Sequence, residues 1–340
     1  MRRPTILLTG ATGHLGAAIA KELLGRPGPP NLRLLIRNEE KLRKLANSDP
    51  AMEPLRACER VVTDIRDVGP VERAVAGADA VIHACHSHEY WNGAPYLLSV
   101  NVGGARNIVR SIRASSSVKK VVFIGSYSAH HGASFDDDLV AISACSAREC
   151  SSRSKRLAQE IFRASTSDGR FRLDIVSPSY LIGPFQLEPT YFGALFHRVL
   201  LGPLRWCPPN GINVVDVRDV ARIVGQCATT LHMCERRILA SGDNISLREL
   251  FGEMNRQAGF TTTPRRVPSG LFLFMPRLKQ FGAFGRQYFR NNHYVDEGGL
   301  RTRRYALAQS IRDTLSWAKR WPMYTRRSEF IWWFAERYLL

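Results

Sequence analysis

The chain has 340 residues, of which 44% are hydrophobic, and lysine plus arginine exceed aspartate plus glutamate by 18. A chain of this size can bury one large core, or one core with a smaller lobe, and its apolar runs are shorter than the roughly 20 residues of a membrane span. Seven cysteines without a Cys-x-x-Cys pair favour reduced thiols over a disulfide framework or a zinc site. We therefore expect a cytoplasmic protein without a metal centre.

The positive charge is spread in short arginine clusters, among them Arg236-Arg237, Arg265-Arg266, Arg301–Arg304 and Arg326-Arg327. No motif of a nucleic-acid-binding module accompanies these clusters. The excess therefore indicates a charged surface and a contribution to binding cofactor phosphates, and nucleic acid is not an expected partner.

Strands and helices alternate through the first half of the chain. Apolar runs predict strands at Ile6–Thr9, Leu32–Ile36, Arg60–Thr63, Ala80–Ala84, Val121–Gly125 and Leu173–Val176. Helical spacing of apolar residues predicts helices at Ala17–Leu24, Glu39–Leu45, Val71–Val75 and Tyr96–Ser115. Near-continuous apolar strands separated by helices are typical of a parallel sheet covered on both faces, so we predict a doubly wound α/β fold.

A glycine-rich turn follows the first strand, with the sequence Thr9-Gly-Ala-Thr-Gly-His-Leu-Gly16. Gly10 allows a sharp turn, Gly13 lets the backbone approach a pyrophosphate, and Gly16 lets the next helix pack closely on the strand. The N-terminus of that helix offers unpaired N–H donors to phosphates. We therefore expect a Rossmann-type domain that binds a dinucleotide. The other cofactor contacts predicted in this turn are Thr12, His14 and Leu15.

Arg37, at the end of the second strand, distinguishes between the two nicotinamide dinucleotides. Sites for NAD place a carboxylate there to bind the ribose 2′-hydroxyl, whereas an arginine suits the 2′-phosphate of NADP. This chain has Arg37-Asn38 about 20 residues after Gly16, and Glu39 and Glu40 begin the next helix. The sequence therefore favours NADP(H).

Residues 5 to about 230 resemble the extended short-chain dehydrogenase/reductase family, which includes dihydroflavonol reductases, 3β-hydroxysteroid dehydrogenases and UDP-sugar epimerases. Besides the glycine-rich turn, the matching motifs are Asp64-Ile65, Ala80–Cys85, Asn101–Asn107, Val121–Ser128, Ser154-Lys155, Ser177–Pro184 and Asn213–Ala221. The resemblance implies that Asp64 and Ile65 lie beside the adenine and that Ala84 and Ser179 contact the cofactor.

The resemblance also implies a domain division. A nucleotide-binding domain is expected at residues 1–180, with residues 212–228 returning to it, and a C-terminal substrate lobe at residues 181–340. Residues 268–289 are rich in leucine and aromatic side chains, which predicts an apolar pocket and a hydrophobic small-molecule substrate. The tail Phe330–Leu340 predicts a last core helix, with contact to a membrane surface as the alternative. A homodimer is a further hypothesis.

One element of the family's chemistry is missing. In the family the tyrosine exchanges a proton with the substrate oxygen, the lysine binds the nicotinamide ribose and lowers the pKa of the tyrosine, and the serine holds the carbonyl. The resemblance places Ser128 and Lys155 at the serine and lysine positions, and it implies that Lys155 also binds the cofactor. The tyrosine position holds Ser151, and no tyrosine lies between Tyr127 and Tyr180. An aliphatic hydroxyl is far less acidic than a phenol, so Ser151 is a poor proton donor without a relay.

The first hypothesis is a reductase that acts on a hydrophobic carbonyl or alcohol compound of specialised metabolism and takes its proton from another group. The candidate donors are Tyr127, His130 or His131, Tyr180, and a water molecule held by Ser151. Histidine titrates near neutral pH and suits this role.

Two other hypotheses stay open. The fold could support a non-redox isomerase, lyase or cyclase, with acid–base groups from residues 86–91, which follow the fourth strand. The chain could also be an NADP-binding regulatory protein, as nitrogen-metabolite-repressor-like members of the superfamily are. The retention of Ser128 and Lys155 favours an enzyme over a sensor.

Overall fold

The structure is a computed structural model that describes residues 2–89, 92–127, 147–188, 191–230, 236–267, 294–295, 300–301 and 303–321. The chain divides into two compact units, the first formed by Met1–Pro178 and Val217–Ala240 and the second by Ser179–Asp216 and Ser241–Leu340. The predicted boundary at residue 180 therefore lies two residues beyond the observed one. The segment that returns to the first unit is Val217–Ala240 instead of the predicted 212–228.

The first part of the chain alternates strands and helices. The strands are β1 (Thr5–Thr9), β2 (Asn31–Ile36), β3 (Glu59–Val62), β4 (Ala80–His83), β5 (Lys120–Ile124) and β6 (Arg172–Pro178). The α-helices are α1 (His14–Leu24), α2 (Glu39–Ala46), α3 (Val68–Val75), α4 (Gly93–Leu98), α5 (Gly104–Ala114) and α6 (Ala147–Ala164). The helix predicted as one element at Tyr96–Ser115 is α4 and α5, joined by a π-helical turn at Ser99–Gly103.

The remaining strands are β7 (Tyr180–Ile182), β8 (Trp206–Cys207), β9 (Gly211–Asp216), β10 (Arg236–Ser241), β11 (Asp243–Ser246), β12 (Arg265–Arg266) and β13 (Leu300–Arg301). The remaining helices are α7 (Tyr191–Leu200), α8 (Val217–Thr229), α9 (Leu247–Gln257) and α10 (Leu307–Arg320). Helix α8 and most of β10 belong to the first unit. None of the helices in the described part of the chain is both long and apolar enough to span a membrane.

Strands of the first unit form a parallel sheet in the order β10-β6-β5-β4-β1-β2-β3. The chain builds outward from β1 through β2 and β3, and then returns to place β4 on the other side of β1. This reversal brings the carboxyl ends of β1 and β4 together, which is where open α/β sheets bind their ligands. The predicted Rossmann-type doubly wound fold is confirmed.

Both faces of this sheet are covered. One core cluster joins Leu7 and Phe123 of the sheet to Val71, Ile108 and Phe162 of helices α3, α5 and α6. Successive side chains of a strand point to opposite faces, so the neighbours of Leu7 in β1 point away from this cluster. They are fully buried as well, and helices α1 and α8 pack against each other. Burial on both sides explains why the strands read as continuous apolar runs.

The second unit has its own core. Strand β9 pairs in parallel with β7 and antiparallel with β11, which is why residues 212–216 belong here and not to the first unit. Two side chains of helix α10 form hydrogen bonds with the backbone of the segment after β7. Thr314 Oγ1 accepts the Gly183 N–H at 2.8 Å, and Trp317 Nε1 donates to the Gln186 carbonyl oxygen at 2.9 Å.

A buried ion cluster joins three neighbouring strands of the first unit. Lys120 of β5 and Asp174 of β6 are fully buried, with 2.9 Å between Nζ and Oδ2. Arg236 of β10 lies 2.8 Å from the same oxygen and donates its backbone N–H to Oδ1 at 3.0 Å. Burial works against the charge of Asp174, but the hydrogen bonds and charges of Arg236 and Lys120 hold its pKa below the usual range.

We expect Asp174→Asn to lower the free energy of unfolding by about 3 kcal/mol or more, because it leaves Lys120 buried and without its counter-ion. The measurement is equilibrium unfolding in urea. Asp168→Asn is the matched control, since Asp168 forms exposed ion pairs with Arg113 and Arg170 that contribute about 1 kcal/mol or less. Equal stability losses in the two variants would contradict the role given to the buried cluster.

Candidate functional site

The glycine-rich turn connects β1 to α1 at the carboxyl edge of the sheet. Gly10 has a φ of +73°, a backbone conformation that glycine adopts at no steric cost. A Cβ atom at Gly10 would lie 2.7 Å from the carbonyl oxygen of Ala84, and one at Gly16 would lie 2.0 Å from the carbonyl oxygen of Gly10. Both positions therefore require glycine, because a side chain at either one would collide with backbone.

Helix α1 begins at His14, directly after the N-cap residue Gly13. Since Gly13 has no side chain, nothing of the cap residue covers the N–H groups of the first helical turn. These donors and the partial positive charge of the helix terminus fit the pyrophosphate of a dinucleotide. The predicted contacts Thr12, His14 and Leu15 lie in this turn or at the start of α1.

Arg37 directly follows β2, the strand next to β1. Its Nη1 donates a hydrogen bond to the Tyr96 hydroxyl at 2.9 Å, and its Nη2 lies 3.4 Å from Oε1 of Glu89. The hydrogen bond of Tyr96 and the charge of Glu89 raise the pKa of Arg37, although its partial burial opposes this. About half of the side chain, 52%, is exposed, so a ligand at this edge can reach the guanidinium.

Asp64 and Ile65 follow β3, the next strand. Arg66 binds both carboxylate oxygens of Asp64 at 2.9 Å and thereby lowers the pKa of Asp64. The Arg66 guanidinium also lies 5.5 Å from the centre of the Tyr96 ring, at cation–π distance. Asn107 donates to the carbonyl oxygens of Ile65 and Arg66 at 3.1 and 3.0 Å. The loop after β3 is therefore held to α5 by hydrogen bonds. Tyr96 contacts both Arg37 and Arg66.

Thr9 ties the end of β1 to the end of β4. Its hydroxyl accepts the Cys85 N–H at 3.1 Å and lies 3.3 Å from Nδ1 of His83. The His83 ring is buried 5.7 Å from Phe123 and 5.1 Å from Phe162, and burial lowers its pKa to about 3. His83 is therefore a neutral core residue.

Lys155 lies against the loop that follows β4. Its Nζ is 3.4 Å from Nε2 and 3.5 Å from Nδ1 of His88. Burial lowers the pKa of Lys155 to about 8. The charge of Lys155 lowers the pKa of His88. Ser151 is one helical turn before Lys155, so both side chains lie on the same face of α6.

A buried asparagine joins the β4 loop to α6. Asn101 Oδ1 accepts the Ser87 N–H at 2.8 Å, and its Nδ2 donates to the Ser87 carbonyl oxygen at 3.2 Å and to Ser154 Oγ at 3.0 Å. The Ser154 hydroxyl in turn donates to the Ser151 carbonyl oxygen at 3.1 Å. Asn101 lies in one of the motifs that resemble the family, but no role was predicted for it. A lone asparagine within an apolar helical run was the available signal.

The other predicted site residues are divided between the two units or lie outside the described residues. Tyr127 follows β5 and is buried in the first unit. Ser179 and Tyr180 belong to the second unit, where the Tyr180 ring lies 5.6 Å from the Phe192 ring. Ser179 Oγ is buried and has no hydrogen-bond partner among the described residues. Several predicted residues and segments lie outside the described residues: Ser128, His130, His131, Tyr90, Trp91, 268–289 and 330–340.

Sequence comparison extends these observations. Residues 6–230 match the model of the NAD dependent epimerase/dehydratase family. Sterol demethylase protein B of Methylococcus capsulatus is 26% identical to this chain over 280 residues, which cover 81% of each protein. Tetraketide alpha-pyrone reductase 1 of Arabidopsis thaliana is 27% identical over 287 residues, which cover 77% of this chain and 83% of the relative.

Structure comparison gives the same fold. A dTDP-glucose 4,6-dehydratase double mutant from Streptomyces venezuelae, solved with NAD bound, superposes with a TM-score of 0.67 at 22% identity. The match covers 94% of this chain and 97% of that one. The resemblance inferred from the motifs is confirmed, and the chain belongs to the NAD-dependent epimerase/dehydratase family, whose members bind an NAD(P) cofactor.

Proposed function

We propose that the chain is an NADP(H)-dependent reductase or dehydrogenase acting on a hydrophobic carbonyl or alcohol metabolite. The observation that carries this proposal is Arg37, a half-exposed guanidinium at the end of β2, where sites for NAD have a carboxylate. The 2′-phosphate of NADP is the group that an arginine at this position suits, because the guanidinium can donate two parallel N–H groups to it.

The present partners of Arg37 do not prevent this role. Its contact with Glu89 is long, at 3.4 Å, and an ion pair that is this exposed contributes about 1 kcal/mol or less. A phosphate group carries more charge than a carboxylate and forms shorter, stronger hydrogen bonds with arginine. The hydrogen bond with Tyr96 uses only Nη1, so the remaining N–H groups can still bind phosphate.

Different residues at the carboxyl edge of the sheet would bind different parts of the cofactor. The turn from Gly10 to Gly16 would bind the pyrophosphate, Arg37 the 2′-phosphate and Ile65 the adenine. Lys155 provides a positive charge next to the loop after β4. The bound cofactor would supply a hydride. The relatives' names refer to a sterol and to a tetraketide α-pyrone, which supports an apolar substrate over a sugar nucleotide.

A second candidate is a non-redox isomerase, lyase or cyclase on the same fold. One observation favours it: His86 and His88 of the loop after β4 lie near Lys155 of α6, so acid–base groups are available without a phenol. Net consumption of NADPH with an apolar carbonyl compound would distinguish the reductase from this candidate.

We expect Arg37→Ala to weaken NADPH binding by about tenfold or more, because charge-assisted hydrogen bonds to the 2′-phosphate are lost. NADH affinity should change little, since NADH lacks that phosphate. Titration followed by nucleotide fluorescence measures both affinities. Arg43→Ala is the matched control, because Arg43 is an exposed arginine of α2 that pairs with Glu40. If wild-type protein binds neither nucleotide, or if Arg37→Ala weakens both equally, the cofactor assignment is wrong.

We expect Glu89→Gln to strengthen NADPH binding by about two- to fivefold, because it removes the carboxylate that competes with the 2′-phosphate for Arg37. The same fluorescence titration measures this effect. In Arg37→Ala the substitution should have no further effect, since no guanidinium is left to compete for. Weaker NADPH binding in Glu89→Gln would instead show that Glu89 supports the site.

A further inference from the structure

We propose that Lys155 carries the proton exchanged with the substrate oxygen, and that His88 is the positioning residue that holds the Lys155 ammonium and exchanges its proton with solvent. This inference rests on the proposed reductase or dehydrogenase function. It names the groups that act where Ser151 stands in place of a tyrosine.

The contact between the two side chains is the first observation. Lys155 Nζ lies 3.4 and 3.5 Å from the two ring nitrogens of His88. These distances are longer than a good hydrogen bond, as is common for catalytic groups before a ligand is bound. His88 is exposed and Lys155 is only partly so, which gives the imidazole access to water. A small rotation of the ring would turn one nitrogen toward the ammonium.

Hydrogen bonds of one buried side chain hold the residues next to Lys155 and His88. Ser87 and Ser154 directly precede His88 and Lys155 in the chain, and both serines bind the same buried Asn101 side chain. One side chain therefore sets the distance between the β4 loop and α6 at this point. A chance surface contact between a lysine and a histidine needs no such buried support.

The local electrostatics suit a proton carrier. Burial lowers the pKa of Lys155 to about 8, close to the pH at which a general acid works best. The titratable groups that interact with Lys155 among the described residues are His86 and His88, both on the β4 loop. Burial and the charge of Lys155 lower the pKa of His86, and the charge of Lys155 lowers that of His88, so both imidazoles are neutral at pH 7. A neutral imidazole can accept a hydrogen bond from the ammonium.

In carbonyl reduction, each bond that forms is matched by one that breaks. The carbonyl carbon would receive a hydride, with its two electrons, from bound NADPH, which would become NADP⁺, and the π electrons of the C=O bond would move to oxygen. An N–H bond of the Lys155 ammonium breaks and an O–H bond forms, which gives the alcohol and a neutral amine. The neutral amine then regains its proton through the other tautomer of His88: the ring nitrogen that faces Lys155 gives its proton to the amine, while the ring nitrogen that faces solvent takes a proton from water and leaves hydroxide. Alcohol oxidation follows the same steps in reverse.

The test measures the protonation of Lys155 directly, in protein without nucleotide. Full-length protein is labelled briefly with trinitrobenzenesulfonate, which reacts with neutral amines, over a pH series from about 6 to about 11. Mass spectrometry of the peptides quantifies labelling at Lys155 and at Lys44, an exposed lysine of α2 that serves as the internal control. In wild-type protein, we expect Lys155 labelling to have its midpoint near pH 8, clearly below the range usual for an exposed lysine side chain.

His88→Phe keeps a ring of similar size but removes both nitrogen acceptors. We expect the Lys155 midpoint to fall by about one pH unit, because the ammonium loses its hydrogen-bond acceptor while it stays partly buried. His88→Gln keeps an acceptor and should restore most of the midpoint. His88→Leu, which also lacks an acceptor, should match His88→Phe and replaces it if that variant does not fold.

An unchanged Lys155 midpoint in His88→Phe and His88→Leu overturns the inference, as does a wild-type Lys155 that titrates together with Lys44. NADPH titration of the same samples separates this result from a failure of the proposed function. If wild-type protein does not bind NADPH, the function assigned above is wrong whatever the labelling shows. If NADPH binds and the midpoint does not move, only the role given to Lys155 and His88 is wrong.

Discussion

The close approach of backbone at the glycine-rich turn determines the geometry of the whole carboxyl edge. Gly10 passes so near to Ala84 that a Cβ atom would lie 2.7 Å from its carbonyl oxygen, and Thr9 binds the next backbone N–H. The ends of β1 and β4 are thus locked together. The loop that directly follows β4, which includes His88 and Glu89, is placed relative to the start of α1 by this contact. A dinucleotide site and a proton-exchange site can therefore share one edge of the sheet.

The polar side chains at this edge range from fully buried to solvent-exposed. Asn101 is fully buried and binds the Ser87 backbone and the Ser154 hydroxyl, whereas Lys155 is partly buried and His88 and Arg37 reach solvent. Buried polar groups need complete hydrogen bonding, which makes the Asn101 contacts rigid. Exposed charges such as Arg37 exchange partners at little cost. The edge thus combines a fixed lysine position with an arginine that can turn from Glu89 to a phosphate.

Much of the first unit could be predicted from the sequence, because its inner strands β1, β4, β5 and β6 are buried and appear as apolar runs. Strand β10 was missed: it starts with Arg236, whose charge is balanced by the distant Asp174, and no local pattern records that pairing. The contact between Lys155 and His88 joins residues 67 positions apart, so only the topology could reveal it. The glycine motif and Arg37 were found because their chemistry depends on short spacing along the chain.

A crystal structure of the protein with NADP⁺ bound would test the cofactor site directly. We expect the pyrophosphate at the N-terminus of α1 and the 2′-phosphate on the Arg37 guanidinium, with the contact between Arg37 and Glu89 broken. A nucleotide bound elsewhere would contradict the assigned cofactor site. So would a 2′-phosphate that points into solvent while Arg37 keeps Glu89 and Tyr96 as its partners.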